Sequence, residues 1–149
     1  MQKKNLFDKL FNYGCKLLKY RDRSVYEIKE KLRTKSSSEK DVDKVVEKLI
    51  QLNYLNEQRF VDGYINKWLT KGKSLNLIFY ELKEKYRISD EILNKLNVEN
   101  LKQQQVENII QIVKKKYNKP DKKKIYDFLQ YKGFSEEEIE SVLNKLEEK

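Results

Sequence analysis

Asn53-Tyr54-Leu55-Asn56-Glu57-Gln58-Arg59-Phe60 is the stretch that separates two helical patterns in this chain. Before it, an acidic-to-apolar run ends at Gln51. After it, apolar residues recur at the spacing of a helix with one buried face: Phe60, Val61, Tyr64, Ile65, Trp68 and Leu69. Asn56 is positioned to accept from the first backbone N–H groups of the second helix, and Glu57 lies at the positive end of its dipole. The stretch therefore predicts a joint between two helices, packed through the apolar side chains of Tyr54 and Leu55.

The composition favours an all-α protein with a polyanionic partner. The 149 residues include only one Pro and four Gly, and the hydrophobic and charged fractions are both 38%. That balance is typical of helices rather than sheets. Lys and Arg outnumber Asp and Glu by 33 to 24, which gives a net charge of +9. This excess predicts binding to nucleic acid or to an anionic membrane, unless the lysines only solvate the surface.

The first residues of the chain and its cysteine content predict a cytoplasmic protein. Asp8 and Lys9 interrupt the apolar run that a secretory signal would need. No apolar run approaches the length of about 18 residues required to span a membrane. Cys15 is the single cysteine, which excludes an internal disulfide and fits a reducing compartment. We therefore predict a cytoplasmic protein without membrane contact, in which Cys15 is a small apolar residue rather than a nucleophile.

Three helical patterns precede Asn53. The first runs from about Leu6 to Leu18 and is followed by a charged elbow. The second begins after Ser24, which forms a capping-box pattern with Glu27, and the third begins after Ser38. The N-terminal third of the chain is therefore predicted to contain three helices.

The same order of helices recurs twice more. The apolar positions of the second helix, Ile28 and Leu32, align with Ile78 and Leu82 at an offset of 50 residues. These align in turn with Ile125 and Leu129 at an offset of 47 residues, and Gly133 and Ser135 then separate the last two helices. We predict one repeat domain over residues 1–149, with repeats at 1–54, 55–98 and 99–149. Because each repeat buries its apolar face only on its neighbours, we expect an elongated, curved, right-handed-helix-type array.

Positive charge concentrates in the elbow between the first and second helix of each repeat, whereas the third helices begin with acids. The elbow cations are Lys19, Arg21 and Arg23, then Lys71 and Lys73, then Lys114, Lys115, Lys116, Lys119, Lys122, Lys123 and Lys124, in a last elbow that contains Pro120. Compensation of the helix dipole explains the acids, but cations beside a helix N-terminus oppose the dipole. We therefore favour anion binding by three elbows aligned on one edge, with exposed side chains that contribute little to stability. Arg59 is a further candidate, either bridging to an acid of the preceding helix or reaching the partner.

Four motifs in this order resemble the RecX family of recombination regulators. They are the runs 19–32, 52–60, 81–85 and 128–135, and together they extend the resemblance over nearly the whole chain. Asn53 and Tyr86 stand where the family has Gly, and Val61 stands where it has Ala; these departures affect turns and packing more than charge.

The resemblance implies tandem three-helix repeats and binding to the RecA filament within its groove. It further implies modulation, mainly inhibition, of the ATPase, coprotease and strand-exchange activities of RecA in homologous recombination and the SOS response. The implied partners are the RecA filament and, weakly and without strong sequence preference, single- or double-stranded DNA. We expect a monomer that acts without a cofactor.

Catalysis is not expected from these residues. The chain has no His, which removes the usual general base and the commonest metal ligand. One Cys cannot form a zinc site, and no glycine-rich phosphate-binding loop occurs. Two non-enzymatic alternatives stay open: a helix-turn-helix-like DNA-binding regulator that acts without RecA, and a scaffold that binds only protein. The first lacks base-reading side chains at Ser24-Val25-Tyr26, although Asn76 could read a base.

Overall fold

The described part of the chain is helical. The computed structural model describes residues 2–119 and 121–148, with side chains from Leu6 onward, so Pro120 of the last elbow lies outside the described residues. Within these ranges it contains nine α-helices and no strand. They are α1 (Gln2–Tyr20), α2 (Val25–Arg33), α3 (Glu39–Gln51), α4 (Glu57–Thr70), α5 (Leu75–Glu84), α6 (Asp90–Asn94), α7 (Val98–Lys116), α8 (Lys122–Tyr131) and α9 (Glu136–Glu147). The predicted all-α class with three successive groups of three helices is confirmed, and no helix of the described ranges is long and apolar enough to cross a membrane.

By its internal contacts the chain divides into two compact units. The N-terminal unit comprises Met1–Gly63 with Lys83–Leu93, and the C-terminal unit comprises Tyr64–Leu82 with Asn94–Lys149. The boundaries fall inside α4, α5 and α6, so the middle group of helices contributes to both units. The division into repeats 1–54, 55–98 and 99–149 stays a prediction.

The joint at residues 53–60 is a tight turn with a capped helix after it. Asn53 adopts a φ of 61°, a left-handed conformation that Asn tolerates better than most residues. Its side-chain oxygen accepts from Asn56 Nδ2 at 2.9 Å, and Asn56 Oδ1 accepts from the Arg59 N–H at 2.9 Å. Leu55 is 2% exposed. The predicted N-cap and the packing of Leu55 are confirmed, whereas Tyr54 is 50% exposed and the expectation that it also packs at the joint is wrong.

Helices α1, α2 and α3 enclose the core of the N-terminal unit. The buried side chains are Leu10, Ile28, Leu32, Val42, Val45, Val46, Leu49 and Leu55. Gly14 allows α1 to approach α3 closely, because a Cβ at this position would lie 2.9 Å from Leu49 Cδ1. Helix α1 extends beyond the predicted range of Leu6 to Leu18 at both ends. Polar residues extend a helix that apolar spacing alone cannot delimit.

The predicted caps of this unit are present. Ser24 Oγ accepts from the Glu27 N–H at 3.1 Å, and Glu27 Oε1 accepts from the Ser24 N–H at 3.1 Å, which completes the capping box. Ser38 Oγ accepts from the Asp41 N–H at 3.2 Å. In addition, the Val25 N–H at the start of α2 donates to Glu57 Oε1 of α4 at 2.9 Å. Burial raises the pKa of the Glu57 carboxyl, which is partly offset by this hydrogen bond.

The C-terminal unit has its own apolar core and a hydrogen bond at the start of α5 that corresponds to the bond between Val25 and Glu57. Its clustered buried residues are Ile109, Val113, Ile125, Leu129, Phe134, Ile139 and Val142. The Leu75 N–H at the start of α5 donates to Oε1 of Gln105 at 2.6 Å, and Gln105 is 6% exposed. Ser74 caps α5 through the Leu77 N–H at 3.2 Å and is fully buried.

The turn after α8 comes very close to Ser74. The Ser74 N–H donates to the Lys132 carbonyl at 3.0 Å, and Ser74 Oγ donates to the Gly133 carbonyl at 2.9 Å. Gly133 has a φ of 97°, and a Cβ there would lie 2.6 Å from Ser74 Oγ. Glycine is therefore required twice over at this position. After the turn, Ser135 and Glu138 form the second capping box, at the start of α9.

Candidate binding surfaces

The two arginines of the first elbow converge on one carboxylate. Arg21 NH2 lies 2.6 Å from Glu27 Oε2, and Arg23 NH1 lies 3.7 Å from the same oxygen. The side chain of Arg23 is only 14% exposed and also approaches the Leu17 carbonyl. Since Glu27 closes the capping box of α2, these cations support the start of that helix. The expectation of freely exposed elbow cations is wrong for Arg23, because its side chain folds back over α1.

Arg59 connects the first elbow to the turn at Asn53. Its Nε donates to Asp22 Oδ1 at 2.8 Å, and its NH2 donates to the carbonyls of Asn53 and Tyr54 at 3.2 Å each. Of the two roles considered for Arg59, the structure contains an intramolecular bridge. The acid belongs to the elbow before α2, however, rather than to the preceding helix α3.

A surface groove of about 620 Å³ lies beside this bridge in the N-terminal unit. It is lined by Phe11, Cys15, Leu18, Lys19, Lys48, Leu52, Asn53, Tyr54 and Arg59. Leu52 and Tyr54 are 45% and 50% exposed, and Lys48 Nζ lies 4.5 Å from the centre of the Phe11 ring. Burial raises the pKa of the Cys15 thiol, which fits its predicted apolar role. The groove thus combines an apolar floor with a cationic rim.

The second elbow surrounds the single tryptophan of the chain. Nζ of Lys73 lies 4.0 Å from the centre of the Trp68 ring, and those of Lys71 and Lys67 lie at 5.1 and 5.2 Å. Lys73 also pairs with Glu81 at 2.7 Å and is only 18% exposed. The expectation of a freely exposed cation is therefore also wrong for Lys73, because both the ring and a carboxylate hold its amine.

The third elbow is divided between two helix ends. Lys114, Lys115 and Lys116 form the last turn of α7, and Lys122, Lys123 and Lys124 form the first turn of α8. Lys19 likewise lies in the last turn of α1. The dipole favours cations at helix C-termini, so dipole compensation explains these four lysines after all. It does not explain the three at the start of α8, of which Lys122 pairs with Glu147 at 2.6 Å.

Several predicted residues come together within each unit. Lys19 and Arg59 share the groove, Arg21 and Arg23 share Glu27, and Lys71 and Lys73 share Trp68. The alignment of all three elbows on one edge stays a prediction.

Sequence reasoning missed three contributors to these surfaces. Lys48 lines the groove, and Tyr131 and Lys132 line the pocket at Trp68. Trp68 lies in the last turn of α4 and Lys71 follows the helix directly, three residues later, and this spacing is a signal that could have marked the second elbow as aromatic as well as basic. Tyr131 and Lys132 come from a distant helix and leave no local signal.

Comparisons with known proteins agree with the fold and the repeats. The family model described as RecX, first three-helix domain, matches residues 11–49, and that described as RecX, third three-helix domain, matches residues 103–143. The two matches together cover more than half of the chain.

Similar proteins cover most of the chain. A regulatory protein RecX from Haemophilus influenzae is 26% identical over 141 residues, covering 91% of this chain and 93% of the relative. One from Clostridium tetani is 37% identical over 136 residues, covering 84% and 60%. The crystal structure of RecX from Lactobacillus salivarius superimposes with a TM-score of 0.78 at 24% identity, covering 96% and 97%, and shows the shared fold.

Proposed function

Since this chain belongs to the RecX family, we propose that it regulates homologous recombination and the SOS response by binding the RecA nucleoprotein filament. In this role it modulates, and mainly inhibits, the ATPase, coprotease and strand-exchange activities of RecA. It acts in the cytoplasm as a binding protein and has no catalytic activity of its own. The observation that supports the proposal is the match of family models at both ends of the chain, over ranges that include the first and the third basic elbow.

The groove of the N-terminal unit is suited to protein contact. Tyr54 and Leu52 offer about half of their surface to a partner, and Lys19 and Lys48 border the groove. Partly exposed aromatic and aliphatic side chains are typical anchors of protein interfaces, and the rim charges select for acids around an apolar anchor. In the proposed complex this groove receives an apolar side chain of RecA that is flanked by acids.

The exposed lysines at the start of α8 and Lys71 are suited to DNA. Lys123 and Lys124 extend from the first helical turn into solvent, at a helix end that already favours anions. Such contacts bind phosphates without reading sequence and weaken with salt. In the proposed role these lysines bind single- or double-stranded DNA weakly and without strong sequence preference.

The test is the rate of ATP hydrolysis by RecA on single-stranded DNA, together with filament length. Substoichiometric amounts of this protein should lower the rate and shorten the filaments. Tyr54→Ala should require about five times more protein, or more, for the same inhibition, because it removes a central anchor. Tyr80→Ala is the matched control, because Tyr80 is 64% exposed and lies outside the groove. Unchanged hydrolysis and filament length at equimolar protein over a range of salt would overturn the proposal.

A further inference from the structure

A pocket of about 350 Å³ in the C-terminal unit combines aromatic rings with lysines. It is lined by Trp68, Lys71, Lys73, Leu77, Tyr131 and Lys132. Tyr131 is 83% exposed, so its ring is open to a ligand. Trp68 is partly buried and packs at 6.2 Å from Tyr64, which keeps the indole in place. An almost fully exposed tyrosine beside a fixed tryptophan has no role in the apolar core.

The lysines of the pocket differ in how firmly they are held. Lys73 is fixed between Trp68 and the Glu81 carboxylate, which also accepts from the Tyr64 hydroxyl at 3.0 Å. Lys71 is exposed, and its amine lies 5.1 Å from the centre of the indole ring. A ligand can therefore draw Lys71 away from the ring at small cost, while Lys73 keeps its charge in the pocket. The pocket thus offers a fixed cation, a movable cation and an exposed ring.

We propose that the Trp68–Tyr131 pocket binds single-stranded nucleic acid by stacking unpaired bases on its aromatic rings. Every base has a π-face, and lysines that alternate with aromatic side chains can follow the phosphates between stacked bases. A duplex keeps its bases stacked inside and has none to insert. An acidic peptide would satisfy the lysines but would leave the Tyr131 ring unused. This inference rests on the proposed function, because single-stranded DNA is part of the RecA filament, and it adds recognition of unpaired bases.

Trp68 makes the pocket observable, because the chain has one tryptophan. The protein alone, without RecA, is titrated with an oligothymidylate of about 12 nucleotides, an abasic strand with the same number of phosphates, and a duplex of that length. Excitation selective for tryptophan follows the pocket, and anisotropy of labelled strands follows total binding. The oligothymidylate should quench Trp68. The abasic strand and the duplex should bind about fivefold more weakly or worse and leave the fluorescence nearly unchanged.

Tyr131→Ala tests the stacking directly and, at an exposed position, leaves the core intact. It should weaken oligothymidylate binding by roughly 5- to 150-fold, the value of one base stack, while Tyr131→Phe should bind as the wild type does. Tyr20→Ala is the matched control, because Tyr20 is 80% exposed and lies in the N-terminal unit. Equal binding of the abasic strand, an unaffected Tyr131→Ala variant, or equal quenching by an oligoglutamate would overturn the inference. Failure here with intact inhibition of RecA would leave the proposed function standing, and the reverse result would separate them equally well.

Discussion

The N-terminal and C-terminal units use the same hydrogen bond with different side-chain chemistry. In each unit the first backbone N–H of a short helix donates to a side-chain oxygen from the next group of helices. Val25 donates to the Glu57 carboxylate, and Leu75 donates to the Gln105 amide. The two acceptors are 48 residues apart, as are Val61 and Ile109, which are both fully buried. The hydrogen bond therefore occurs at equivalent positions of the repeat, whereas the charge of its acceptor differs between the two units.

The difference in charge changes what each unit tolerates. Burial raises the pKa of Glu57, so its hydrogen bond is formed by a carboxylate that is more costly to bury than an amide. Gln105 accepts the same bond without titrating. The comparison teaches that the geometry at the start of α2 and α5 needs an oxygen acceptor, whereas only the N-terminal unit gains a dependence on pH from it.

The largest effect is expected from the buried leucines of the two short helices α2 and α5. Leu32 in α2 and Leu82 in α5 are both 0% exposed, so each should lose about 2 to 5 kcal/mol of stability when changed to Ala. Urea denaturation of both variants measures the free energies of unfolding. Similar losses would sharpen the comparison. A loss below about 0.5 kcal/mol at either site would mean that this stripe is not a core stripe.

A smaller loss is expected when the acceptor of the C-terminal joint is removed. Gln105→Leu keeps a side chain of comparable length but leaves the Leu75 N–H without its partner. A buried N–H without an acceptor costs roughly 1 to 3 kcal/mol. The measurement is again urea denaturation, with Gln103→Leu on the exposed side of α7 as the control. Equal stabilities of the two variants would show that water replaces the Gln105 amide.

The smallest effect, and the one specific to charge, is expected at the N-terminal joint. Because the folded-state pKa of Glu57 is raised, folding favours its protonated form. This contribution is fully present below the unfolded-state pKa, near 4.5, and is lost as the pH rises through the folded-state pKa. Glu57→Gln should remove this loss, so its stability relative to the wild type should rise with pH above about 4.5. The reciprocal change, Gln105→Glu, should introduce the same loss in the C-terminal unit.

These differences are read from the free energy of unfolding of each variant at several pH values. A constant difference between Glu57→Gln and the wild type from acid to neutral pH would contradict the assigned cause. So would a Gln105→Glu variant without a new dependence on pH.

Local signals in the sequence were sufficient for the helices and their caps. Ser24, Asn56 and Ser135 cap residues three positions later, so sequence spacing alone predicts their hydrogen bonds. The matched positions Ile28, Ile78 and Ile125 are all buried. Their burial could be predicted because the periodicity of apolar residues along a helix is also a local signal.

Long-range polar contacts could not be predicted in the same way. Arg59 reaches Asp22 across 37 residues, and Leu75 reaches Gln105 across 30. Nothing near Gln105 distinguishes it from the exposed Gln103 and Gln104. The partners of Arg23 and Lys73 were missed because a charged side chain between helices can extend to solvent or fold back, and packing decides which. The expected anion-binding elbows therefore include cations that first stabilise the fold.

The left-handed turn at Asn53 also limits how this position can change over evolutionary time. The φ of 61° disfavours most side chains, but Gly, Asn and Asp tolerate it. Codons for Asn convert to codons for Gly through Asp by successive single-nucleotide changes, and Asp also keeps an oxygen that can accept from Asn56. A lineage can therefore exchange Gly for Asn here without passing through a disrupted joint. A lineage with Asn at this position gains the hydrogen bond from Asn56 at 2.9 Å, which Gly cannot form because it has no side chain.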